Sequence, residues 1–324
     1  MGLKFIDLFA GCGGLSLGLM QAGLEGVFAI EKDPMAFDTL GKNLSSECKE
    51  KGIKGFDWPI WLEKKNYTID EFIKVHDREL KELKGTIDIL AGGPPCQGFS
   101  YTGKRDGNDP RNLLFKRYIQ VVKFILPRAV VIENVPGIKT TYKSDLGKIL
   151  KNNSNKISFL EKIINELDDL GYISKPFILN ASDFGVPQKR KRVIIVGFRN
   201  NICSTKLMEY FEIGLSEIQA SWEKYLELPE GIKITAGEVL SDLLSIGVKK
   251  VKCEDAFSKN FKQIVYSGPK TSFQSYIHKG SNGEMDSMRL VNHTKKVEKR
   301  FTDILKHCRK GVRMDEDDRS MFNL

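Results

Sequence analysis

Side chains that could act together on an electron-poor ring occur at separate points of this sequence. Cys96 lies in the stretch GGPPCQGFS, and Glu133 follows a short apolar run. Two arginines, Arg190 and Arg192, lie further along the chain. A thiolate can add to such a ring, a carboxyl group can hydrogen-bond a ring nitrogen, and an arginine can stabilise a ring oxygen. These residue types indicate covalent catalysis on a heteroaromatic ring.

Each of these residues also has a purely structural explanation. A single cysteine often packs as a small apolar side chain. The acid could be a surface residue, and the arginines could belong to a solvated basic strand. The context of Cys96 argues for chemistry, because residues 87–91 are apolar and predict a buried strand of a parallel sheet. The glycines and prolines that follow end the strand and direct the loop to the edge where α/β sheets bind ligands.

A candidate cofactor site lies near the start of the chain. Residues 3–7 predict a strand, a helix begins near residue 15, and a second strand over 26–31 ends in Glu31. The connecting loop consists of Phe9, Ala10, Gly11, Cys12, Gly13 and Gly14. Glycines let the backbone approach a nucleoside, and the acid accepts hydrogen bonds from ribose hydroxyls. A tight turn that packs the helix on the sheet is the structural alternative.

The glycine loop departs from the dinucleotide-binding pattern. GxGxxG starting at Gly11 requires a glycine where this chain has Ser16. The spacing therefore disfavours an oxidoreductase that binds a pyrophosphate. It favours a cofactor without phosphates, such as S-adenosylmethionine.

The alternation of strands and helices is regular to about residue 199, which predicts an α/β fold with a doubly wound, mostly parallel sheet. We therefore expect a cofactor-binding and catalytic domain over 1–199. It contains an insertion at about 47–85, with Trp58, Trp61 and an amphipathic helix over 69–83. Residues 200–324 lack clear βα units and predict an irregular C-terminal extension.

Composition narrows the class of protein without deciding it. The formal net charge of +9 over 324 residues favours a polyanionic partner, although a lysine-rich solvated surface would give the same charge. Six cysteines without a CxxC pair and four scattered histidines indicate no metal site. The sequence has no signal-peptide pattern and no apolar run of membrane-spanning length, so we expect a cytoplasmic protein.

These motifs, in this order, resemble those of the cytosine-C5 DNA methyltransferases of bacterial restriction–modification systems. The resemblance covers residues 3 to about 197, and its Pro-Cys-Gln and Glu-Asn-Val blocks are together highly specific. The matching blocks are DLFAGCGG at 7–14 with Glu31, GPPCQ at 93–97, NLLF at 112–115, ENV at 133–135 and QKRKR at 188–192.

The resemblance implies a function for each block. Cys96 would be the nucleophile, with Gln97 and Asn134 among the catalytic residues. Glu133 and Asn134 would hold cytosine N3 and N4. Of Arg190 and Arg192, one would order the catalytic loop and the other would reach cytosine O2. The glycine loop, Glu31, Pro95 and Leu114 would bind S-adenosylmethionine.

The implied reaction is methylation of a cytosine that has been flipped out of double-stranded DNA. The Cys96 thiolate would add to C6, C5 would take the methyl group, and loss of the C5 proton would release the enzyme. A tRNA-directed eukaryotic relative shares this chemistry. Its catalytic loop usually differs downstream of Pro-Cys-Gln, so DNA is the predicted substrate.

This chain departs from the family pattern in two respects. Neither Asp57 nor Asp77 has the strand-end context expected of the acid that binds adenine. Residues 235–243 and 292–293 resemble the approach to a target-recognition region, but the family's last blocks do not follow them. We therefore expect a second polypeptide to supply those blocks. The alternative is a truncated or split subunit that binds cofactor or DNA without activity of its own.

Overall fold

The structure is a computed structural model. It describes residues 2–45, 54–95, 112–139, 158–200, 204–232, 234–253, 258–279, 288–307 and 320. The chain divides into two compact units, Met1–Ala236 with Ser275–Asn282, and Gly237–Gln274 with Gly283–Leu324. Residues 200–236 therefore belong to the first unit, and the functional boundary at residue 199 stays a prediction.

A six-stranded sheet organises the first unit. Its strands are β1 (Lys4–Leu8), β2 (Glu25–Ile30), β3 (Ile89–Gly92), β4 (Ala129–Asn134), β5 (Tyr172–Asn180) and β6 (Lys191–Arg199). Their order across the sheet is β2-β1-β3-β4-β6-β5. The first four strands are parallel, whereas β6 is antiparallel to both β4 and β5. The predicted α/β fold with a doubly wound, mostly parallel sheet is confirmed.

Helices connect these strands, and several of them begin at a side-chain cap. They are α1 (Gly14–Gln21), α2 (Pro34–Leu44), α3 (Ile69–Val75), α4 (Asp77–Glu82), α5 (Asn112–Ile125) and α6 (Phe159–Asp169). The Asp33 side chain accepts hydrogen bonds from the first turn of α2, where Pro34 occupies the first helical position. Ser158 and Glu161 form a reciprocal capping box at the start of α6.

The segment predicted as an insertion packs into the main hydrophobic core. The ring of Phe28 on β2 lies edge-on to Trp61 and Phe72, with centroids 5.7 and 5.6 Å away. The predicted helix over 69–83 is two short helices, because His76 between them has a non-helical backbone. Whether this segment is an insertion relative to other proteins stays a prediction.

The rest of the chain is more helical than its sequence pattern predicts. The first unit continues with α7 (Ser204–Ala220) and α8 (Trp222–Tyr225). The remaining elements are α9 (Ala236–Leu240), β7 (Lys250–Lys252), β8 (Lys262–Ile264), α10 (Ser272–Ile277) and α11 (Lys295–His307). In the second unit, β7 and β8 pair as a short antiparallel sheet.

Candidate active site

The strand order brings two loops together at one edge of the sheet. Parallel strands β1 and β3 are neighbours, so the loops that leave their carboxyl ends start side by side. The Gly93 N–H donates a hydrogen bond to the Leu8 carbonyl over 3.3 Å. A side chain at Gly92 would place its Cβ 2.6 Å from that same carbonyl oxygen. Glycine at position 92 therefore permits the close approach of the two strands.

The glycine loop follows β1 in a conformation that few residues adopt. The backbone φ angles of Phe9, Gly11 and Gly13 are 60°, 57° and 88°. A positive φ at the non-glycine residue Phe9 costs on the order of 1–3 kcal/mol, and such strain concentrates at functional sites. At Gly13 a Cβ would also lie 2.7 Å from the Leu44 side chain. The loop is thus held in a specific shape, and it turns the chain into α1.

Glu31 connects this loop to the end of β2. One carboxylate oxygen accepts a hydrogen bond of 2.8 Å from the Gly11 N–H. The other accepts from the backbone N–H groups of Lys32 and Asp33, at 2.9 and 2.8 Å. The side chain is half-buried, so its remaining acceptor capacity can face a ligand. The structure places Glu31 beside the glycine loop, and its contact with a ribose stays a prediction.

Asp7 is a candidate functional residue that the sequence analysis did not single out. It lies at the end of β1, is 1% exposed, and accepts a 2.6 Å hydrogen bond from the Ser16 hydroxyl on α1. Ser16, which stands where the dinucleotide pattern requires a glycine, is fully buried. The available signal was a carboxylate within an apolar strand, directly before a glycine loop. Buried carboxylates are rare unless they are paired or functional.

The predicted carboxylate and arginines meet at the same sheet edge. The Arg192 Nε donates to the Glu133 Oε1 over 2.7 Å, and the Arg190 guanidinium lies 3.8 Å from the same oxygen. The side chains of Glu133 and Arg192 are 35% and 21% exposed, so this pair is partly shielded from water. Charged groups held in this way can present a fixed pattern of donors and acceptors to a planar ring.

Asn134 joins this pair to the loop that carries Cys96. Its side chain is buried, its Nδ2 donates to the Pro94 carbonyl over 3.2 Å, and its Oδ1 accepts from the Val135 N–H over 2.9 Å. Those contacts fix the backbone two residues before Cys96. They are the contacts of a positioning residue, and a direct contact between Asn134 and a substrate stays a prediction.

The remaining predicted site residues divide into two groups. Within the described chain, Cys12 and Gly14 are exposed in the glycine loop, while Ala10, Pro95 and Leu114 are half-buried. Cys96 and Gln97 lie outside the described residues. Of the two candidates for an adenine-binding acid, Asp57 is exposed and Asp77 pairs with Lys81 within α4. These positions assign neither residue to adenine binding.

The described residues contain no group of three or more histidine, cysteine or acidic side chains that could hold a metal ion. Over the same part of the chain, none of the helices has both the length and the apolar character needed to cross a bilayer.

The fold and this site define an α/β protein whose glycine loop and Glu133–Arg192 pair lie at the carboxyl ends of the parallel strands of a doubly wound sheet. The family model described as C-5 cytosine-specific DNA methylase matches residues 3–321. The chain therefore belongs to that family. The match extends past residue 197, where the resemblance was expected to end. Membership of this family also argues against the alternative of a dinucleotide-binding oxidoreductase.

Three curated relatives illustrate the extent of the similarity. The type II methyltransferase M.DdeI of Desulfomicrobium norvegicum is 36% identical over 200 residues, which are 61% of this chain and 41% of that protein. M.Eco47II of Escherichia coli is 35% identical over 230 residues, covering 70% and 45%. M.AquIA of Picosynechococcus is 37% identical over 199 residues, covering 60% and 72%. The chain thus spans less than half of the first two relatives and most of the third.

Proposed function

We propose that this chain is the cofactor-binding and catalytic part of a DNA cytosine-C5 methyltransferase of a restriction–modification system. The observation that carries the proposal is the Glu133–Arg192 pair beside the strand end that leads to Cys96. The glycine loop follows β1, the strand next to β3, and its Gly11 N–H donates a hydrogen bond to Glu31. The type II methyltransferases to which the chain is similar support the restriction–modification setting.

The glycine loop fits S-adenosylmethionine as the ligand. Gly11 and Gly13 have left-handed backbone conformations and no side chains, so the backbone of the loop is open to a ligand at these two positions, and the Glu31 carboxylate accepts a hydrogen bond from the Gly11 N–H. Glu31 would hold the ribose, while Phe9, Pro95 and Leu114 would contact other parts of the cofactor. When bound, S-adenosylmethionine supplies an electrophilic methyl group. No phosphate-binding pattern is required for such a ligand.

Cys96 would act as a covalent nucleophile on cytosine. A free thiol has a pKa of about 8.5, and nearby arginine charge raises the thiolate fraction at neutral pH. Addition of the thiolate to C6 would form the Cys96–C6 bond and move electron density to C5. C5 would then take the methyl group, and the electron pair of the broken sulfur–methyl bond would leave with S-adenosylhomocysteine. Loss of the C5 proton to a base or to solvent would restore the C5–C6 double bond and break the Cys96–C6 bond, which releases the thiolate without a redox step.

Glu133, Arg190 and Arg192 would hold the ring during this sequence. Glu133 would hydrogen-bond the N3 and N4 edge, and one arginine would stabilise O2 while its neighbour orders the loop. Inside a duplex the atoms C5 and C6 are stacked and cannot be reached from the ring face. The target cytosine would therefore be extruded into the site. Glu133 and Arg192 are both present and form a hydrogen bond, which does not favour the alternative of a truncated subunit without activity.

The first test is methylation of plasmid DNA in cells that express this chain. We expect 5-methylcytosine, and no N4-methylcytosine or N6-methyladenine, when nucleosides from the digested plasmid are separated by mass spectrometry. The second polypeptide stays a prediction, so the chain is expressed alone and together with the neighbouring reading frame. We expect weak methylation without sequence preference from the chain alone, and methylation of one defined sequence from the combination.

The result of this test distinguishes a chain that methylates DNA alone, a chain that needs a partner, and a chain without the proposed activity. Bisulfite sequencing assigns each methylated position, and a Cys96→Ala chain serves as the inactive control. Dense methylation of one sequence by the chain alone would contradict the need for a partner. Absence of 5-methylcytosine under both conditions would contradict the proposed activity.

The second test concerns the cofactor. Glu31→Ala should weaken S-adenosylmethionine binding by about 1.5–3 kcal/mol, or about 10- to 150-fold in Kd, because it removes a charged hydrogen-bond acceptor. Calorimetry measures the change. Asp38→Asn is the matched control, since Asp38 is an exposed acid on the neighbouring helix α2. Unchanged affinity in Glu31→Ala would place the cofactor elsewhere.

A further inference from the structure

The carboxyl group of Asp7 is only half satisfied in the interior of the protein. Its Oδ2 accepts the 2.6 Å hydrogen bond from Ser16, whereas its Oδ1 is buried and has no hydrogen-bond partner among the described residues. Burying an ionised carboxylate with an oxygen that accepts no hydrogen bond costs free energy. Protonation to the uncharged carboxylic acid lowers this cost. The geometry thus favours protonated Asp7 when no ligand is bound.

Among the described residues, the groups that face Asp7 supply no compensating positive charge. Its partners in the register of the neighbouring strands are Ala29 on β2 and Ala91 on β3, and Ser16 approaches from α1. The charge of a described residue that acts on Asp7 is that of Glu31, which is also negative. The pKa of Asp7 is raised to about 7, mainly by burial and to a smaller extent by Glu31, while hydrogen bonds from Ser16 oppose the rise.

Tyr118 on α5 is the other titratable group that interacts with Asp7. It is fully buried, and its hydroxyl donates to the Leu90 carbonyl on β3 over 2.7 Å. Burial, with smaller contributions from Tyr172 and Asp7, raises the pKa of that hydroxyl well above its ordinary value. Tyr118 therefore stays neutral in the physiological range and does not compete with Asp7 for protons.

We propose that Asp7 is a positioning residue that releases its proton when a cationic nucleoside cofactor binds on the glycine loop. The inference rests on the proposed function, because it takes S-adenosylmethionine as that cofactor. Glu31 accepts a hydrogen bond from Gly11 within the loop, and Asp7 accepts one from Ser16 in the first turn of α1, directly after the loop. A sulfonium and an ammonium group brought to this loop favour the ionised carboxylate. The Asp7 carboxylic acid becomes a carboxylate, and its proton goes to the solvent.

The proposal links cofactor affinity to pH. At pH 7 about half of the unliganded molecules carry the Asp7 proton, so binding releases up to about half a proton per cofactor. Raising the pH removes the proton in advance, and binding becomes tighter. Affinity should therefore rise about three- to tenfold between pH 6 and pH 8. S-adenosylhomocysteine lacks the sulfonium charge and should release fewer protons.

Calorimetry at pH 7 in buffers of different ionisation enthalpy measures the protons released on binding, without any turnover. The full chain is titrated with S-adenosylmethionine and with S-adenosylhomocysteine, as wild type and as Asp7→Asn. The α-amino group of the ligand can itself titrate near pH 7.7–8.0. Its contribution is common to wild type and variant, so the difference between them reports Asp7. Asp168→Asn, which changes an exposed acid on α6, is the matched control.

We expect the proton release and the pH-dependent gain in affinity to disappear in Asp7→Asn and to persist in Asp168→Asn. Ser16→Ala, which removes the hydrogen bond that lowers the pKa of Asp7, should move the pH dependence upward. Equal proton release by wild type and Asp7→Asn, or by the two ligands, would overturn the inference. If Asp7→Asn does not fold, the inference is tested by the pH dependence of Ser16→Ala and by the difference in proton release between the two ligands in wild type. Failure of wild type to bind either ligand at any pH would instead contradict the proposed cofactor.

Discussion

Replacing Cys96 with alanine should reduce methyl transfer to DNA by on the order of 10⁴-fold or more, with little change in cofactor affinity. The expectation follows from covalent catalysis, because without the thiolate no adduct forms at C6 and C5 stays a poor nucleophile. Removal of the nucleophile in other covalent enzymes costs as much or more. The measurement is transfer of a radiolabelled methyl group to DNA in the assembly that shows activity.

Covalent trapping separates loss of the nucleophile from loss of the fold. On DNA containing 5-fluorocytosine the fluorine cannot leave as a proton does, so the thiolate adduct persists after methylation. Wild type should form a complex that survives denaturation, and Cys96→Ala should form none. Cys253→Ala, which removes a buried thiol from the second unit, should still form it. Retained transfer by Cys96→Ala would exclude Cys96 as the nucleophile.

Replacing Glu133 with glutamine should lower the rate of methyl transfer by about 10²- to 10⁴-fold, the usual contribution of a positioned acid–base group. The substitution keeps the size of the side chain and removes the charge that pairs with Arg192 at 2.7 Å. We expect the loss in kcat, with cofactor binding unchanged, since Glu133 lies at β4 and not at the glycine loop. Single-turnover methyl transfer under saturating cofactor measures it.

The control for Glu133→Gln is an ion pair at the opposite end of the same strand. Asp88 pairs with Arg128 at 3.1 Å, next to the first residue of β4. Asp88→Asn therefore removes a comparable charge pair without touching the candidate site. A similar loss in both variants would mean that Glu133 acts through stability alone. Full activity of Glu133→Gln would remove Glu133 from the catalytic group.

The parallel part of the sheet was predictable because its signals are local. An apolar run followed by glycines or prolines predicts a strand and its end, as for β1 with the glycine loop and β3 with the Pro-Cys stretch. Pro34, a residue favoured at the first position of a helix, likewise coincides with the start of α2. Only the boundary of each element moves by a residue or two. In the segment around His76 the helical pattern persists while the backbone breaks into two helices.

The sequence by itself determined the residue types of the candidate site and the loops that carry them. Only the tertiary structure determined which of these side chains lie in contact with one another. The direction of β6 is set by pairing with β4 and β5, and this antiparallel pairing brings Arg192 to Glu133 across 59 positions of sequence. The bond from Asn134 to Pro94 and the half-satisfied Asp7 depend in the same way on contacts between strands and helices. Strand direction and burial arise from packing of distant segments, which no local pattern specifies.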